Sequence, residues 1–308
     1  MGEHIPVLLI ETIDNLNIKE DGIYVDCTMG GAGHSSEILK RLTTGHLYCF
    51  DQDEYAIKRG SERLSKISDK FTIIQDNFVN LKKRLEELGV DKVDGILYDL
   101  GVSSFQFDIV DRGFSYNNDA PLDMRMNQDG LLTAKDIVNN YTFEELKKIF
   151  YMYGEEKFSV QIARNIEKSR KEKPIETTFD LVEIIKKSLP AAVLRKKGHP
   201  AKQVFQALRI EVNNELNVFE KSLEDAFTIL NKNGRIAVIT FHSLEDRICK
   251  QMFKEKVEVN IPKGIPVKDC DIVREYKLIN NKVIVATEEE LEKNNRAHSA
   301  KLRVIEKL

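Results

Sequence analysis

Three aspartates are placed by type and spacing to do chemistry, each ending an apolar run: Asp26 in GIYVDCT, Asp51 in HLYCFD and Asp99 in VDGILYDL. Between the first two lies Gly31-Ala32-Gly33-His34-Ser35-Ser36, which falls one glycine short of the GxGxxG fingerprint of dinucleotide-binding loops. Asp51 follows Gly33 by 18 residues, the spacing at which a carboxylate accepts hydrogen bonds from ribose hydroxyls. Glycines after a strand are often only a tight turn. Together with Asp51 they point to a nucleoside-containing ligand. No GK[ST] closes the loop, which disfavours a nucleoside triphosphate.

Charge narrows the ligand further. Asp26 and Asp99 should stand beside the loop, where a pyrophosphate would cost Coulomb energy. S-adenosylmethionine carries no phosphate. Its sulfonium and ammonium suit carboxylates, its own carboxylate suits the amides of a helix N-terminus, and its ribose still calls for Asp51. A strand-end aspartate such as Asp26 can equally serve only to cap loop amides. Phe78, in IIQDNF, is read as ending the third strand, with a flat apolar face for adenine or for the core. His34 either touches the ligand or simply occupies the first turn of a helix.

These residues need a scaffold, and the chain spells one out. From residue 22 to about 105, GIYVDCT, HLYCFD, FTIIQD and VDGILYDL alternate with the helical patterns SSEILKRL, EYAIKRGSERLSKI and FVNLKKRLEELG. Such alternation predicts right-handed βαβ units and a parallel sheet. Residues 105–125 are polar and turn-rich, and the text is helical from about 130 to 200. Strand signals resume at GRIAVITF, followed by KLINNKVIVAT and AKLRVIEKL, which suit an antiparallel pair at one end of the sheet. The expected architecture is α/β: one doubly wound, mostly parallel sheet from 1–108 and 205–308, with an inserted all-helical domain at 109–204.

Composition sets the outer limits. The chain has 308 residues, 42% hydrophobic and 31% charged, the balance of a soluble globular protein able to bury a large core. Cys27, Cys49, Cys249 and Cys270 form no CxxC pair and no zinc spacing, so no metal is expected and the thiols read as reduced. MGEHIPVLL lacks the basic leader of a secretory signal, and no run reaches the ~18 apolar residues of a membrane span. A cytoplasmic protein with no membrane partner is expected. Net charge is −3, so a nucleic-acid partner must meet a local basic surface. Residues 141–202 provide one, with 14 Lys+Arg against 9 Asp+Glu. The sharpest clusters are Lys168–Lys173 and Arg195-Lys196-Lys197.

The motifs HIPVLL (4–9), DCTMGGAGHS, DLGVSS (99–104), RGFSY…PLDMRM (112–126), HPAKQVFQALRI (199–210) and FHSLEDR (241–247) follow in order. Together they resemble the MraW/RsmH family, S-adenosylmethionine-dependent methyltransferases that modify the exocyclic N4 of a cytidine in small-subunit (16S) ribosomal RNA. The resemblance runs from residue 4 to about 304. It implies a class I (Rossmann-like) methyltransferase sheet with a helical insert. It also implies cofactor contacts at Ala32, Gly33, His34, Asp51, Phe78, Asp99 and Gln106, and ribosomal RNA, within an assembled or assembling subunit, as partner. Near the C-terminus AHSAKLR departs from the family pattern, with His298 in place of arginine and Asn295 in place of proline.

A cytosine amino group is a poor nucleophile because its lone pair is delocalised into the ring. An enzyme can help by accepting hydrogen bonds from the amino protons while holding the reacting atoms in line. Asp99 and the backbone carbonyls of 99–104 are the candidate acceptors, with Asp99 the candidate catalytic residue. Many amino-methyltransferases carry [DNS]PP[YFW] here, whereas this chain has DLGV, so the base itself is implied by the resemblance alone. Phe241, His242 and Ser243 are candidate contacts to the base, although Ser243-x-x-Asp246 also reads as a helix N-cap pair. Arg195, Lys196 and Lys197 are candidate phosphate contacts. Two other readings stay open: a nicotinamide-dependent oxidoreductase and a non-catalytic RNA-binding assembly factor. Oligomeric state, monomer or homodimer, is not legible.

Overall fold

The computed structural model describes residues 6–258 and 274–308. His4 and Ile5 of the first motif, and Cys270, lie outside them. The chain divides into two compact units, residues 1–101 with 216–308, and residues 102–215.

The first unit is built on a seven-stranded sheet of order β3-β2-β1-β4-β5-β7-β6. Its strands are β1 (Ile23–Asp26), β2 (His46–Asp51), β3 (Phe71–Gln75), β4 (Val93–Asp99), β5 (Leu230–Thr240), β6 (Tyr276–Leu278) and β7 (Lys301–Lys307). The first five run parallel, and β7 pairs antiparallel with both β5 and β6. Side chains alternate between two apolar layers, as a period of two requires. Val25, Ile96, Tyr98, Ile236 and Val238 face one layer. Tyr24, Leu97, Ala237 and Ile239 face the other. With both faces covered, each strand reads as a nearly unbroken apolar run.

The helices covering these faces are α1 (Leu9–Leu16), α2 (Gly33–Lys40), α3 (Glu54–Leu64) and α4 (Leu81–Glu87), then, after the second unit, α12 (Glu215–Ile229), α13 (Ser243–Val257) and α14 (Glu288–Lys293). The second unit holds α5 (Ser104–Asp108), α6 (Ala134–Asn140), α7 (Phe143–Met152), α8 (Ser159–Glu172), α9 (Thr178–Ser188), α10 (Ala191–Leu194) and α11 (Lys202–Asn213). Three of its helices open on capping boxes, Thr133 with Asp136, Thr142 with Glu145 and Thr177 with Asp180. Each box satisfies backbone amides that a helix start leaves unpaired.

Four details differ from expectation. The helical unit is wider than 109–204, because Val102 packs on its core and α11 buries Val204, Phe205, Ala207 and Leu208 there. Asn213, at the end of α11, also accepts from the Met126 amide at 2.7 Å and donates to the Met124 carbonyl at 2.9 Å. Phe78 does not end β3; the strand stops at Gln75, and Asn77 caps a short 3-10 turn, Phe78–Asn80. The run KLINNKVIVAT is not a strand throughout. After Ile279, whose amide donates to the Val304 carbonyl at 3.0 Å, the Asn280 side chain replaces the ladder, accepting from the Val304 amide at 2.8 Å, and Ile284 regains a bridge to β7. Finally, β5 starts at Leu230, four residues before the GRIAVITF run.

The motif RGFSY…PLDMRM is a brace inside the helical unit. Arg112 is buried and donates through Nη2 to the carbonyls of Arg125 and Met126, at 2.9 and 3.0 Å. Arg125 forms a two-pronged pair with Asp123, at 2.9 and 2.7 Å. Met124 between them sits fully buried at a φ of 63°, a conformation that only strong surrounding bonds hold for a non-glycine residue.

Candidate active site

The carboxyl ends of β1, β2 and β4 lie along one edge of the sheet, where β1 has β2 on one side and β4 on the other. This is the switch point of a doubly wound sheet, at which such folds open a crevice for ligands. Asp26, Asp51 and Asp99 end those three strands.

The glycine stretch forms a tight loop leading into α2. Gly30 and Ala32 take φ of 48° and 56°, and Ala32 caps α2 without a side-chain bond. A Cβ on Gly33 would lie 2.2 Å from Cγ of Pro6, so the ring of Pro6 seated on its Cα requires glycine there. Asp51 fastens the loop from below. Its Oδ2 accepts from the Gly30 amide at 2.8 Å and its Oδ1 from the Asp53 amide at 2.9 Å. Burial pushes its carboxyl up to about 6, against the pull of those two amides.

Asp26 is buried and accepts from Ser35 Oγ at 2.6 Å and from the Thr28 amide at 3.0 Å. Burial raises its carboxyl, and the Ser35 bond and the neighbouring His34 hold the rise back. Asp26 therefore does cap the loop, in line with one of its two readings. His34 lies in the first turn of α2, and its ring is 4% exposed. Nε2 is 3.1 Å from the Val7 carbonyl oxygen and Nδ1 is 3.4 Å from Asp99 Oδ2. The Asp99 amide donates to Thr28 Oγ1 at 2.7 Å, while Oδ1 of its carboxylate is buried and has no hydrogen-bond partner among the described residues.

The FHSLEDR segment follows β5, next to the end of β4. Asp99 is level with Ile239, and the Phe241 ring lies over Gly101, 3.3 Å from where a Cβ would stand. The expected cap Ser243 is displaced by its neighbour: His242 is the N-cap of α13, with Glu245 as its box partner. The buried Glu245 carboxylate accepts from the Phe241 amide at 2.8 Å and the His242 amide at 3.3 Å. His242 Nε2 lies 3.0 Å from Glu245 Oε1 but out of line for a hydrogen bond. Asp246, read as Ser243's partner, instead binds Lys301 and Arg303 of β7, at 3.1 and 2.8 Å. Histidine is an uncommon cap, so the serine pattern one residue on masks it. Glu245→Ala should remove the acceptor of two amides and lower stability by about 2 kcal/mol, read as a reduced midpoint of urea unfolding.

Phe78 packs edge-on against Tyr98, with ring centroids 5.7 Å apart, and joins the core on that side. Gln106 belongs to the helical unit, where its buried side chain accepts from the Ser103 amide at 3.0 Å. In the same unit Arg195, Lys196 and Lys197 are exposed. They precede Gly198, at a φ of 106°, and His199, which stacks on Tyr116 with centroids 4.3 Å apart and planes 7° from parallel. The other basic run is partly structural. Arg170 donates to the Val138 carbonyl at 2.9 Å and Lys173 pairs with Asp180 at 3.5 Å.

The family model of the MraW methylase family matches residues 1–308. The chain belongs to the MraW methylase family. Curated relatives called "Ribosomal RNA small subunit methyltransferase H" are close to this methylase over its whole length. That of Streptococcus dysgalactiae subsp. equisimilis is 58% identical, covering 99% of this chain and 98% of the relative. That of Exiguobacterium sibiricum is 57% identical, covering 100% and 99%, and that of Streptococcus mutans serotype c is 58% identical, covering 99% and 98%. The oxidoreductase reading is thereby set aside: the loop that nearly matches a dinucleotide fingerprint belongs to a methylase.

Proposed function

We propose that this methylase transfers the methyl group of S-adenosylmethionine to the exocyclic N4 of a cytidine in 16S ribosomal RNA. The observation that carries the reading is the acidic rim. Three carboxylates end adjacent strands, and Asp99 presents a buried oxygen without a partner among the described residues. Such an oxygen fits a ligand bearing N–H groups or positive charge, and a pyrophosphate would meet repulsion there. The names of the relatives support the substrate class.

Bound at this rim, S-adenosylmethionine supplies a methyl group on a sulfonium, a leaving group that keeps the electron pair of the broken bond. Asp51 would accept from the ribose hydroxyls, and the N-terminus of α2, from Ala32 to His34, would face the carboxylate of the methionine part. Phe78 and Gln106 complete the contact set that the resemblance carries over. Asp99 and the carbonyls of the 99–104 loop would accept hydrogen bonds from the amino protons, returning electron density to the nitrogen that attacks. Phe241, His242 and Ser243 would stand on the base side, with Glu245 fixing their turn.

Arg195, Lys196 and Lys197 would hold phosphates. Replacing all three by glutamine should weaken RNA binding and reduce the slope of log affinity against log salt by roughly 2, with affinity for S-adenosylmethionine unchanged. Filter binding over a salt series reads this, and unaltered RNA affinity in the triple variant would remove these residues from the interface. Among the described residues no helix is long and apolar enough to cross a membrane.

The deciding experiment uses methyl-labelled S-adenosylmethionine and small ribosomal subunits lacking the modification, followed by digestion of the RNA to nucleosides. Label in N4-methylcytidine supports the reading. Label in another nucleoside, or none while the cofactor binds, overturns it.

A further inference from the structure

His34 is enclosed by groups that can only accept. A carbonyl oxygen accepts, so the Val7 contact at 3.1 Å requires a proton on Nε2. A carboxylate also accepts, so a bare Nδ1 would turn its lone pair on Asp99 Oδ2 at 3.4 Å. Both contacts are satisfied together only when both ring nitrogens carry protons. The other charge facing the ring is Asp26, which, like Asp99, is negative. Burial disfavours the imidazolium, but the bond and charge of Asp99, the charge of Asp26 and the Val7 carbonyl outweigh it and raise the pKa of His34. The ring is therefore buried and biased toward the imidazolium, beside Asp99 and under the charge of Asp26. It occupies one oxygen of Asp99, and the Thr28 hydroxyl holds the Asp99 amide. The oxygen left over, Oδ1, is the one without a partner among the described residues.

We infer that His34 is a positioning residue for methyl transfer: as an imidazolium it holds Asp99 through Oδ2, so that Oδ1 is presented to an N–H of the methyl-accepting amino group. The inference deepens the function proposed above and rests on it. A neutral ring would let the Asp99 carboxylate rotate and spend both oxygens elsewhere. The pairing also sets a cation beside Asp99 in a rim that already holds Asp26 and Asp51.

Two amide substitutions separate the two contacts of the ring. The Asn side-chain nitrogen falls near the place of Nδ1, and the Gln side-chain nitrogen near that of Nε2. His34→Asn keeps a donor for Asp99 and loses the one for Val7; His34→Gln does the reverse. In the labelled-subunit assay His34→Gln should lose at least tenfold more kcat than His34→Asn, while Kd for S-adenosylmethionine, by calorimetry, changes less than threefold between them. The kcat of the wild type should also fall as pH rises through the deprotonation of His34, a limb missing from His34→Asn. A reversed order, with His34→Asn the worse enzyme, would assign the ring to tethering the loop through Val7. A loss confined to Kd would assign Oδ1 to the cofactor. Either result overturns the inference, and equal kcat values do so as well. If the wild type labels no N4-methylcytidine, the proposed function has failed first, and the comparison of variants is not needed to show it.

Discussion

Asp51→Asn should weaken S-adenosylmethionine binding by about 100-fold, the effect of losing two hydrogen bonds to a charged acceptor at ~1.5 kcal/mol or more each. The asparagine can still accept from one of the two amides that Asp51 now holds, those of Gly30 and Asp53. The loop should therefore survive while the ribose contact fails. A pH signature accompanies the loss. Burial pushes the Asp51 carboxyl up to about 6 in the free protein, and only the carboxylate accepts both hydroxyls. Above pH 6 the group is ionised and ready. Below it, binding must first expel a proton, and affinity falls about tenfold per pH unit. Calorimetric titrations from pH 5 to pH 7 should show this fall in the wild type and a flat line in the variant. Equal dissociation constants at pH 7, or a wild-type profile as flat as the variant's, would take Asp51 out of the ribose site.

Gly113→Ala should cost about 3 kcal/mol of stability or more, although the residue lies in no active-site motif. Gly113 has a φ of 69°, where an L-residue is strained by about 1 kcal/mol. Most of the cost is steric. A Cβ would stand 2.1 Å from the Pro121 carbonyl oxygen and 2.9 Å from the Asp123 amide, both backbone atoms that no rotamer change can move. The same stretch contains the buried Arg112 and the left-handed Met124, so a shift of Pro121 strains the whole brace. Urea unfolding of the full chain should show a lower midpoint, with amide exchange accelerated most in residues 102–215. A stability within about 0.5 kcal/mol of the wild type, the range of ordinary surface changes, would mean that the segment yields easily and that the brace is not rigid.

How much of the molecule is legible in the sequence follows from where the partners of each residue lie. The ends of β1, β2 and β4 are readable because their apolar runs stop at an aspartate, and the sheet obeys the βαβ rules that the runs imply. Asp51 can be placed by counting from Gly33, since one crossover separates them. His34 cannot be resolved by pattern between ligand contact and helix turn. It is in the helix turn, and its ring is held by Val7 and Asp99, the latter 65 residues on and three strands later. No local pattern records such a pairing. Phe78 is misplaced by pattern because IIQDNF carries no strand stop stronger than Asp76-Asn77, and Asn77 caps the next turn. Ser243 reads as a cap because serine is the common one. The buried Glu245 selects His242 instead, through bonds to two backbone amides. The motif RGFSY…PLDMRM is legible only as a resemblance. Its arginines bind backbone carbonyls and a neighbouring aspartate, and that is a matter of folded geometry.

The position of β7 constrains how the molecule can be made. Residues 301–307 fill the slot between β5 and β6. During synthesis β5 therefore waits with a bare edge until residues 301–307 have left the ribosome, some sixty residues after its own last residue. The helical unit is one unbroken stretch, 102–215, and is free to form about ninety residues earlier. Production of the protein should thus be most vulnerable to aggregation in the interval between completion of the helical unit and arrival of β7, while the edge of β5 is unpaired. A pause or truncation ahead of residue 301 would leave the β5 edge open and should promote aggregation.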